Sequence, residues 1–504
     1  MILLLTNRAE YRNDIAEEIR LFYGQTDVSV AAEDAQSAEL VLRADILPEH
    51  ADARIHAYAE ANGLHHAESM EMEGEDALSV KRVEKRAVKI AVFRLLQKIH
   101  PTATPWGSLT GIRPTKLFRE LTAAHGEDGA WQCFRKAFDV SEEKTSLART
   151  ICRVQHPVID SVDKRDADVY VNIPFCKTKC LYCSFPSQIL GKNDVLTPYL
   201  ETLFTDIAAG AELAKDHGYH LRCMYIGGGT PTVLSAKQLD ALLAHLASCY
   251  GSLGSEITVE AGRPDTIDAE KLSVIRSHGV QRISINPQSM NDATLERIGR
   301  AHSAADVKAA YRMAREAGFP VINMDLIAGL PGETAEDMQD TLEQIKELSP
   351  DSLTVHALAM KRASRLTREQ KESAEDATSH DTEKIAMTLS KMIDMAADYA
   401  KDMDLVPYYL YRQKNIAGNF ENVGYAKVDK AGIYNILIME EKQSIIAVGA
   451  GASTKIVVPE DKAEIDPKTG NKKRIVRVEN VKDVEQYINR IDEMIERKGE
   501  LLWL

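Results

Sequence analysis

Residues 170–183 read Tyr-Val-Asn-Ile-Pro-Phe-Cys-Lys-Thr-Lys-Cys-Leu-Tyr-Cys, an apolar strand pattern that runs directly into three cysteines. These thiols belong to Cys176, Cys180 and Cys183, which gives a C-x3-C-x2-C spacing. Zinc sites usually complete four ligands with paired cysteines or with histidine, and no fourth such residue stands suitably close to this array. In an iron–sulfur cluster, three cysteines leave one iron with an open coordination position, which a catalytic metal needs. The array therefore predicts a catalytic metal–sulfur site.

Strand and helix patterns alternate regularly after this strand. Short β-branched runs predict strands at residues 169–173, 222–226, 257–261, 282–286, 321–327 and 352–356. Helical patterns lie between them at residues 197–217, 235–248, 268–278, 304–317 and 336–348. Ser303 is expected to cap one helix, and Gly279 and Gly318 are expected to end two others. The repeat predicts an α/β fold with a parallel sheet, a barrel or part of one, whose ligands gather at the carboxyl ends of the strands.

Glycine and polar residues stand where these predicted strands end. Gly227-Gly-Gly-Thr-Pro231 follows the second strand, and its glycines allow a ligand to approach the backbone closely. Glu260 ends the third strand, and Gln288 follows the fourth, with Arg300 further along the chain. Asp325 begins the sequence Asp-Leu-Ile-Ala-Gly-Leu-Pro-Gly at the fifth strand. We therefore expect these residues to lie beside the cysteines.

Taken in order, these motifs resemble the radical S-adenosylmethionine (SAM) superfamily. The resemblance implies a partial (β/α)6 barrel and a [4Fe–4S] cluster held by Cys176, Cys180 and Cys183. It also implies that the open iron binds the amino and carboxylate groups of SAM. An electron from the cluster then cleaves SAM to methionine and a 5′-deoxyadenosyl radical, which abstracts a hydrogen atom from the substrate. The residues that the resemblance assigns to SAM are Tyr170, Tyr182, Gly228, Gly229, Thr230 and Glu260.

Within the superfamily, residues 168–455 resemble the oxygen-independent coproporphyrinogen III oxidase family. The likeness is carried by Tyr-Val-Asn-Ile-Pro-Phe-Cys, Gly-Gly-Gly-Thr-Pro-Thr and Asp-Leu-Ile-Ala-Gly-Leu-Pro-Gly-Glu. It implies oxidative decarboxylation of coproporphyrinogen III to protoporphyrinogen IX in anaerobic haem synthesis, with a reducing electron donor such as flavodoxin or ferredoxin. Gln288, Arg300 and Asp325 match positions that bind a second SAM in the oxidase, so one or two SAM molecules are expected.

Phe185 departs from the oxidase pattern, which has a further cysteine two residues after the third. Relatives with phenylalanine there include haem chaperones, so a haem-binding chaperone and a radical SAM enzyme on another substrate stay open as alternatives. Tetrapyrrole carboxylates need cations, and the candidates are Arg113, Lys116, Arg362, Arg365, Arg412 and Lys414. A bound haem needs an axial ligand, for which His302 and His356 are the candidates.

The remaining sequence predicts regions on both sides of a barrel core at residues 165–370. Residues 1–160 predict an N-terminal α/β domain, with strands at 2–6 and 38–44 and helices at 13–23, 81–99 and within 116–153. Residues 371–504 predict a C-terminal α+β cap, with a linker at 371–382, a turn at 468–471 and helices at 383–402 and 481–498. Its strands, which we expect to form a small antiparallel sheet over the barrel, are predicted at 433–439, 444–448, 455–458 and 474–478.

The composition is that of an ordinary soluble globular protein. The chain has 504 residues, of which 27% are charged, and a formal net charge of −14. An acidic balance argues against nucleic-acid binding, because phosphate contact needs a positive surface. No stretch reaches the roughly 18 apolar residues that span a bilayer, so we expect no membrane span and a cytoplasmic location. Seven cysteines, an odd and small number, argue against a disulfide framework.

Overall fold

The computed structural model of the chain describes a defined set of residues. These are residues 1–24, 26–31, 34, 36–47, 54–72, 77–101, 104–191, 194–251, 253–359, 364–366, 379–413, 419–459, 461–465 and 472–502. The turn predicted at 468–471 lies outside this set, as do residues 371–378 of the predicted linker. Among the described helices, none is long and apolar enough to cross a membrane.

An α/β layer forms the N-terminal part of the molecule. Its elements are β1 Ile2–Leu5, α1 Arg12–Tyr23, β2 Val28–Ser29, β3 Leu40–Ile46, β4 Arg54–Ala61, β5 Leu64–Glu71 and α2 Ala77–Ile99. The strands lie in the order β2-β1-β3-β4-β5, with antiparallel pairing from β3 onward. Helices α1 and α2 share a hydrophobic core with this sheet. The predicted strands and helices of this region are confirmed, and the hairpin β4–β5 is an element that the prediction lacked.

Two helices connect this layer to the central sheet, α3 Pro114–Gln132 and α4 Glu142–Asp160. The helical pattern predicted within residues 116–153 corresponds to these two helices, with a short π-helix at Cys133–Ala137 between them. Both helices contribute to the hydrophobic core that contains the barrel strands, through side chains such as Phe118 and Ile151. They therefore belong to the core of the barrel and not to the core of the N-terminal layer.

The strand–helix repeat forms the centre of the molecule. Its elements are β6 Asp166–Ile173, β7 Phe175–Cys176, β8 Gln188–Ile189, α5 Leu196–Asp216, β9 His220–Gly228, α6 Ala236–Tyr250, β10 Glu256–Glu260, α7 Ala269–Ser277, β11 Arg282–Ser284, α8 Asp292–Arg297, α9 Ala304–Glu316, β12 Val321–Ala328, α10 Ala335–Leu348 and β13 Ser352–Ala357. Strands β6, β9, β10, β11, β12 and β13 pair in that order, and all of these pairs are parallel. All six predicted barrel strands are thus confirmed. Ser303 caps α9 as predicted, and Gly279 and Gly318 take the positive φ expected after a helix.

The C-terminal part adds strands to both edges of this sheet. Its elements are α11 Ser379–Asp402, β14 Val406–Arg412, β15 Glu421–Ala426, α12 Ile433–Glu440, β16 Ser444–Val448, β17 Ser453–Val457, β18 Glu464–Ile465, β19 Lys472–Lys473, β20 Ile475–Glu479, α13 Val484–Asn489 and α14 Ile491–Leu502. The complete sheet has 11 strands in the order β14-β15-β13-β12-β11-β10-β9-β6-β16-β17-β20. The strands predicted at 444–448, 455–458 and 474–478 pair antiparallel with one another as β16, β17 and β20, but they extend the barrel sheet and do not form a sheet of their own. An open barrel has two edge strands with unpaired backbone groups. Here β15 pairs with the edge strand β13, and β16 pairs with the edge strand β6.

The strand predicted at residues 433–439 is wrong, because this segment is helix α12. Its apolar run favours a strand by local propensity, but a distant carboxylate stabilises the helical start. Glu256 accepts hydrogen bonds from the backbone N–H groups of Ile433 and Tyr434, both at 3.0 Å. This carboxylate supplies the N-terminal capping that the local sequence lacks, since Gly432 has no side chain. Tertiary contacts thereby decide the secondary structure of this segment.

The predicted domain bounds at residues 160, 165 and 370 stay a prediction. One core lies between the N-terminal sheet and its helices, and a second joins α3 and α4 to the barrel. The 11-stranded sheet continues on both sides of the predicted boundary at residue 370.

Candidate active site

A cavity of about 410 Å³ opens where the parallel strands end. Every residue that the sequence predicted for the cluster or for SAM lines this cavity. These residues are Tyr170, Cys176, Cys180, Tyr182, Cys183, Gly228, Gly229, Thr230, Glu260, Gln288, Arg300 and Asp325. Positions spread over more than 150 residues of sequence therefore converge, as the barrel geometry predicts.

The cysteine loop follows β6 and begins in the short ribbon that β7 forms with β8. All three cysteines are free thiols, with Cys180 buried and the others partly buried. Among the described residues, no group of three His, Cys, Asp or Glu side chains is suited to hold one metal ion. A cubane cluster needs a different arrangement, because it presents separate iron corners that each take one thiolate. The three thiols in one loop therefore fit the iron corners of a [4Fe–4S] cluster.

The glycines after β9 let the backbone approach the cysteine loop. Gly228 has φ +105°, and a Cβ there would overlap the side-chain oxygen of Asn172. A Cβ on Gly229 would overlap the carbonyl oxygen of Phe175. Thr230 closes this contact, because its N–H donates to the same carbonyl at 2.8 Å and its hydroxyl lies 3.6 Å from the sulfur of Cys176. Glycine is therefore required at both positions.

Glu260 forms the acidic wall of the cavity together with two tyrosines. The hydroxyl of Tyr225 donates to Glu260 Oε1 at 2.5 Å, and the Tyr225 ring stacks on that of Tyr170 with centroids 6.1 Å apart. Burial raises the pKa of Glu260 to about 7. The sequence prediction missed Tyr225, which lines the cavity from within a predicted strand. The alternation of side chains along that strand was the available signal.

Arg300 is buried and held by several acceptors. One guanidinium nitrogen donates to the carbonyl oxygens of Gly262 and Asn286 at 2.9 and 2.8 Å. Another donates to the hydroxyl of Tyr182 at 3.0 Å, which links the arginine to the cysteine loop. The Nε atom has no hydrogen-bond partner among the described residues. Arg300 therefore presents a positive charge to the cavity in a fixed orientation.

Gln288 and Asp325 lie on adjacent strand ends. Gln288 has φ +70°, and its N–H donates to the carbonyl oxygen of Asp325 at 2.9 Å. The side-chain oxygen of Gln288 is buried and has no partner among the described residues. Burial opposes ionisation of Asp325, but the neighbouring His356, whose Nε2 lies 4.0 Å from the carboxylate, holds its pKa below the usual value. A strained backbone and an orphaned polar atom are features of a ligand site.

The two histidine candidates have different environments. His302 has a fully buried side chain, with Nδ1 at 3.9 Å from Asp265 Oδ1. His356 lines the cavity, and its Nδ1 lies 3.3 Å from the hydroxyl of Tyr411. Only His356 of these two is placed to contact a ligand in the cavity.

Three of the residues predicted to bind the substrate carboxylates do not line the cavity. Arg113 lies 2.6 Å and Lys116 3.9 Å from carboxylate oxygen Oε2 of Glu441, so both serve an ion pair. Arg412 is buried and donates to the carbonyl oxygen of Leu109 at 2.5 Å, which fixes the N-terminal part to the barrel. Arg365 is exposed, and Arg362 and Lys414 lie outside the described residues.

Comparison with known proteins agrees with this geometry. Residues 170–345 match the model of the radical SAM superfamily. The oxygen-independent coproporphyrinogen-III oxidase-like protein HemZ of Bacillus subtilis is 36% identical over 488 residues, which cover 95% of this chain and 93% of HemZ. The haem chaperone HemW of Haemophilus influenzae is 37% identical over 195 residues, which cover 38% of this chain and 51% of HemW. In fold, the Escherichia coli radical SAM enzyme coproporphyrinogen III oxidase (HemN) superposes with a TM-score of 0.50 at 21% identity, over 71% of this chain and 74% of that one.

The partial (β/α)6 barrel and its cysteine loop define a radical SAM enzyme. The family uses a [4Fe–4S] cluster and SAM. Because the match to HemZ extends over nearly the whole of both chains, the protein belongs to the family of oxygen-independent coproporphyrinogen III oxidase-like proteins.

Proposed function

We propose that the protein catalyses the oxygen-independent oxidative decarboxylation of coproporphyrinogen III to protoporphyrinogen IX in the cytoplasm. The observation that carries the proposal is the single cavity in which the cysteines meet Gln288, Arg300 and Asp325. These three residues match the positions that bind a second SAM in the oxidase. The near full-length similarity to HemZ supports a tetrapyrrole as the substrate class.

Cys176, Cys180 and Cys183 would hold the cluster. When bound, the cluster and SAM would supply the radical chemistry that the decarboxylation of a propionate requires. The electron that starts the reaction would come from a donor such as flavodoxin or ferredoxin. The protein's own residues bind and orient the reactants and keep water from the reacting centre.

Glu260 and Asp325 give the cavity a negative character that suits a sulfonium cofactor. Both carboxylates line the cavity, and Asp325 is kept ionised by His356. The open backbone at Gly228 and Gly229 leaves room for the methionine part of SAM, and the Tyr170 ring forms the opposing surface. The unpartnered Gln288 oxygen and Arg300 nitrogen would bind a second SAM in the same cavity.

The rim of the cavity carries exposed apolar side chains that suit the ring carbons of a tetrapyrrole. Phe185, at the position of the oxidase's extra cysteine, is 63% exposed and lines the cavity. Ile189 is 51% exposed and follows in the ribbon strand β8. Exposed apolar groups beside an otherwise polar cavity mark a binding surface rather than a structural core.

A haem chaperone is the second candidate function, favoured by the position of His356. Its ring lines the cavity and is 28% exposed, so a haem iron could reach it. The similarity to haem chaperones covers only 38% of this chain, which makes this candidate the weaker one.

The test uses the full chain reconstituted anaerobically with iron and sulfide. We expect about four irons per chain, reductive cleavage of SAM, and protoporphyrin formation from coproporphyrinogen III. The Cys180→Ala variant should lose the iron and both activities, whereas Cys249→Ala, a partly buried cysteine on α6, should keep them. Wild-type protein that cleaves SAM but forms no protoporphyrin would refute the oxidase function. In that case, stable haem binding that is lost in His356→Ala would favour the chaperone.

A further inference from the structure

Two guanidinium groups approach Cys180 from the protein interior. Arg263 is 3% exposed, and its Nη1 lies 3.8 Å from the sulfur of Cys180, within the range of an N–H···S hydrogen bond. Arg300 is buried and also interacts electrostatically with the Cys180 thiol. The sequence analysis assigned Arg300 to ligand binding, but nothing in the motifs gave Arg263 a role. Arg263 lines the same cavity, but none of the SAM contacts described above involves it.

Arg263 is held rigidly in this orientation. It directly precedes the turn Pro264–Thr266 after β10, and its Nη1 also donates to the carbonyl oxygen of Thr178 at 3.0 Å. Its Nε donates to Asp265 Oδ1 at 3.1 Å. The guanidinium that contacts Thr178 and Cys180 in the cysteine loop is therefore held in place on its Nε side by the carboxylate of Asp265.

The charge of Arg263 is only partly balanced on the side that faces the loop. Asp265 contacts the Nε edge, and that carboxylate also lies 3.6 Å from the Nζ of Lys177. The Nη2 atom of Arg263 is buried and has no hydrogen-bond partner among the described residues. A buried cation whose Nη1 lies beside a sulfur ligand stabilises negative charge on that sulfur.

We propose that Arg263 is a positioning residue that sets the reduction potential of the cluster through Cys180. The inference rests on the proposed function, since it requires the cluster on the three cysteines. An iron–sulfur cluster gains one negative charge on one-electron reduction, and hydrogen bonds to its sulfurs together with nearby positive charge favour the reduced state. Arg263 therefore raises the potential and makes the cluster easier to reduce by a protein donor.

The test compares reconstituted wild type with Arg263→Met and Arg263→Lys. The methionine keeps much of the side-chain length and removes the charge and the N–H groups. The lysine keeps the charge but cannot contact Thr178, Cys180 and Asp265 at once. Anaerobic redox titration followed by electron paramagnetic resonance measures the midpoint potential of the reduced cluster, in the absence of SAM and substrate.

We expect a shift of the midpoint to more negative potential in Arg263→Met and a smaller shift in the same direction in Arg263→Lys. Arg276→Met is the matched control, because Arg276 lies at the end of α7 and donates to the carbonyl oxygen of Gly318. This control loses the same charge and should keep the wild-type potential. A purely structural role of Arg263 would alter melting temperature without moving the potential of the cluster that remains.

The outcomes separate the two proposals. Wild-type protein without a cluster refutes the proposed function itself. An Arg263→Met protein with wild-type iron content and potential refutes the role of Arg263 while leaving the proposed function intact. If Arg263→Met holds no iron, the decision falls to Arg263→Lys, for which an unchanged potential or the absence of a cluster also overturns the inference.

Discussion

The ion pair between Lys498 and Asp206 gives a sharp prediction about stability. Lys498 Nζ lies 2.6 Å from Asp206 Oδ1, and the two side chains are 1% and 0% exposed. Asp206 Oδ2 also accepts hydrogen bonds from Tyr487, from the backbone of Gly449 and from Asn480, at 2.7, 3.0 and 3.1 Å. One carboxylate therefore joins α5 to the loop after β16 and to the helices α13 and α14.

The substitution Lys498→Met removes the cation and keeps the length of the side chain. Removal of one partner from a buried pair costs about 3–5 kcal/mol, because the remaining charge is left uncompensated in a medium of low dielectric. The three neutral donors that remain on Asp206 partly stabilise its charge, so we expect a loss of about 3 kcal/mol. The part of the chain from β6 to α14 shares one sheet and has roughly 340 residues, so at an unfolding entropy of about 2.1 cal/mol/K per residue this corresponds to a decrease in Tm of about 4 °C.

Thermal unfolding followed by circular dichroism under anaerobic conditions measures this decrease. Arg490→Gln is the matched control, because Arg490 pairs with Glu493 at 2.8 Å on the surface, where both side chains are more than two fifths exposed. Such pairs contribute about 0–1 kcal/mol, so the control should change little. The double variant Asp206→Asn with Lys498→Met should recover part of the loss, since no unpaired charge remains. A Lys498→Met protein as stable as wild type, or a double variant no better than the single one, would contradict the electrostatic reasoning.

Three further predictions concern the cavity. Because burial raises the pKa of Glu260 to about 7, its carboxylate becomes protonated and loses its charge as the pH falls through 7. The affinity of the wild type for SAM, measured by equilibrium dialysis, should therefore decrease below that pH. Glu260→Gln should bind SAM about tenfold to a hundredfold more weakly at pH 8, with little pH dependence, and an unchanged pH profile would contradict the assignment. Gly228→Ala should lose iron on reconstitution because its Cβ would overlap Asn172, whereas Gly279→Ala, which has a positive φ but open space around it, should keep its iron. Phe185→Cys should still bind about four irons per chain, since the cluster ligands are complete without it, and a higher iron count would refute this.

The sequence predicted the barrel and the common location of the candidate site residues because both depend on local signals. Each barrel strand is a short apolar run between turn residues, and most of the site residues stand near the end of one of these runs or in the loop that follows it. Parallel strands bring their carboxyl ends to one edge, so the order of the elements is sufficient to bring Cys180, Glu260 and Asp325 into one cavity. No knowledge of side-chain packing is needed for that step.

The errors arose where residues distant in sequence decide the outcome. Helix α12 depends on the carboxylate of Glu256, which lies 177 residues before Ile433 in the chain. Arg412 does not act as the predicted anion ligand, because its guanidinium donates to the carbonyl oxygen of Leu109, which lies 303 residues away in the chain. Neither partner leaves a signal in the local pattern.

One missed element did have a local signal. The hairpin of β4 and β5 turns at Asn62-Gly63, and both residues have positive φ, at 51° and 73°. An Asn-Gly pair between alternating runs is a strong short-range indication of a two-residue hairpin turn. The turn is therefore a feature that a closer examination of the sequence would have found, in contrast to α12.

The pairing of β6 with β16 has a consequence for synthesis of the protein. Gln443 donates to Asp168 at 2.6 Å, a contact between residues 275 positions apart in the chain. At translation rates of about 5–20 residues per second, β6 leaves the ribosome roughly 15–55 s before its neighbour exists. During that interval the nascent strand that precedes the thiols has a vacant edge, which other polypeptides can join. We therefore expect the yield of intact protein to fall when many ribosomes make it at once.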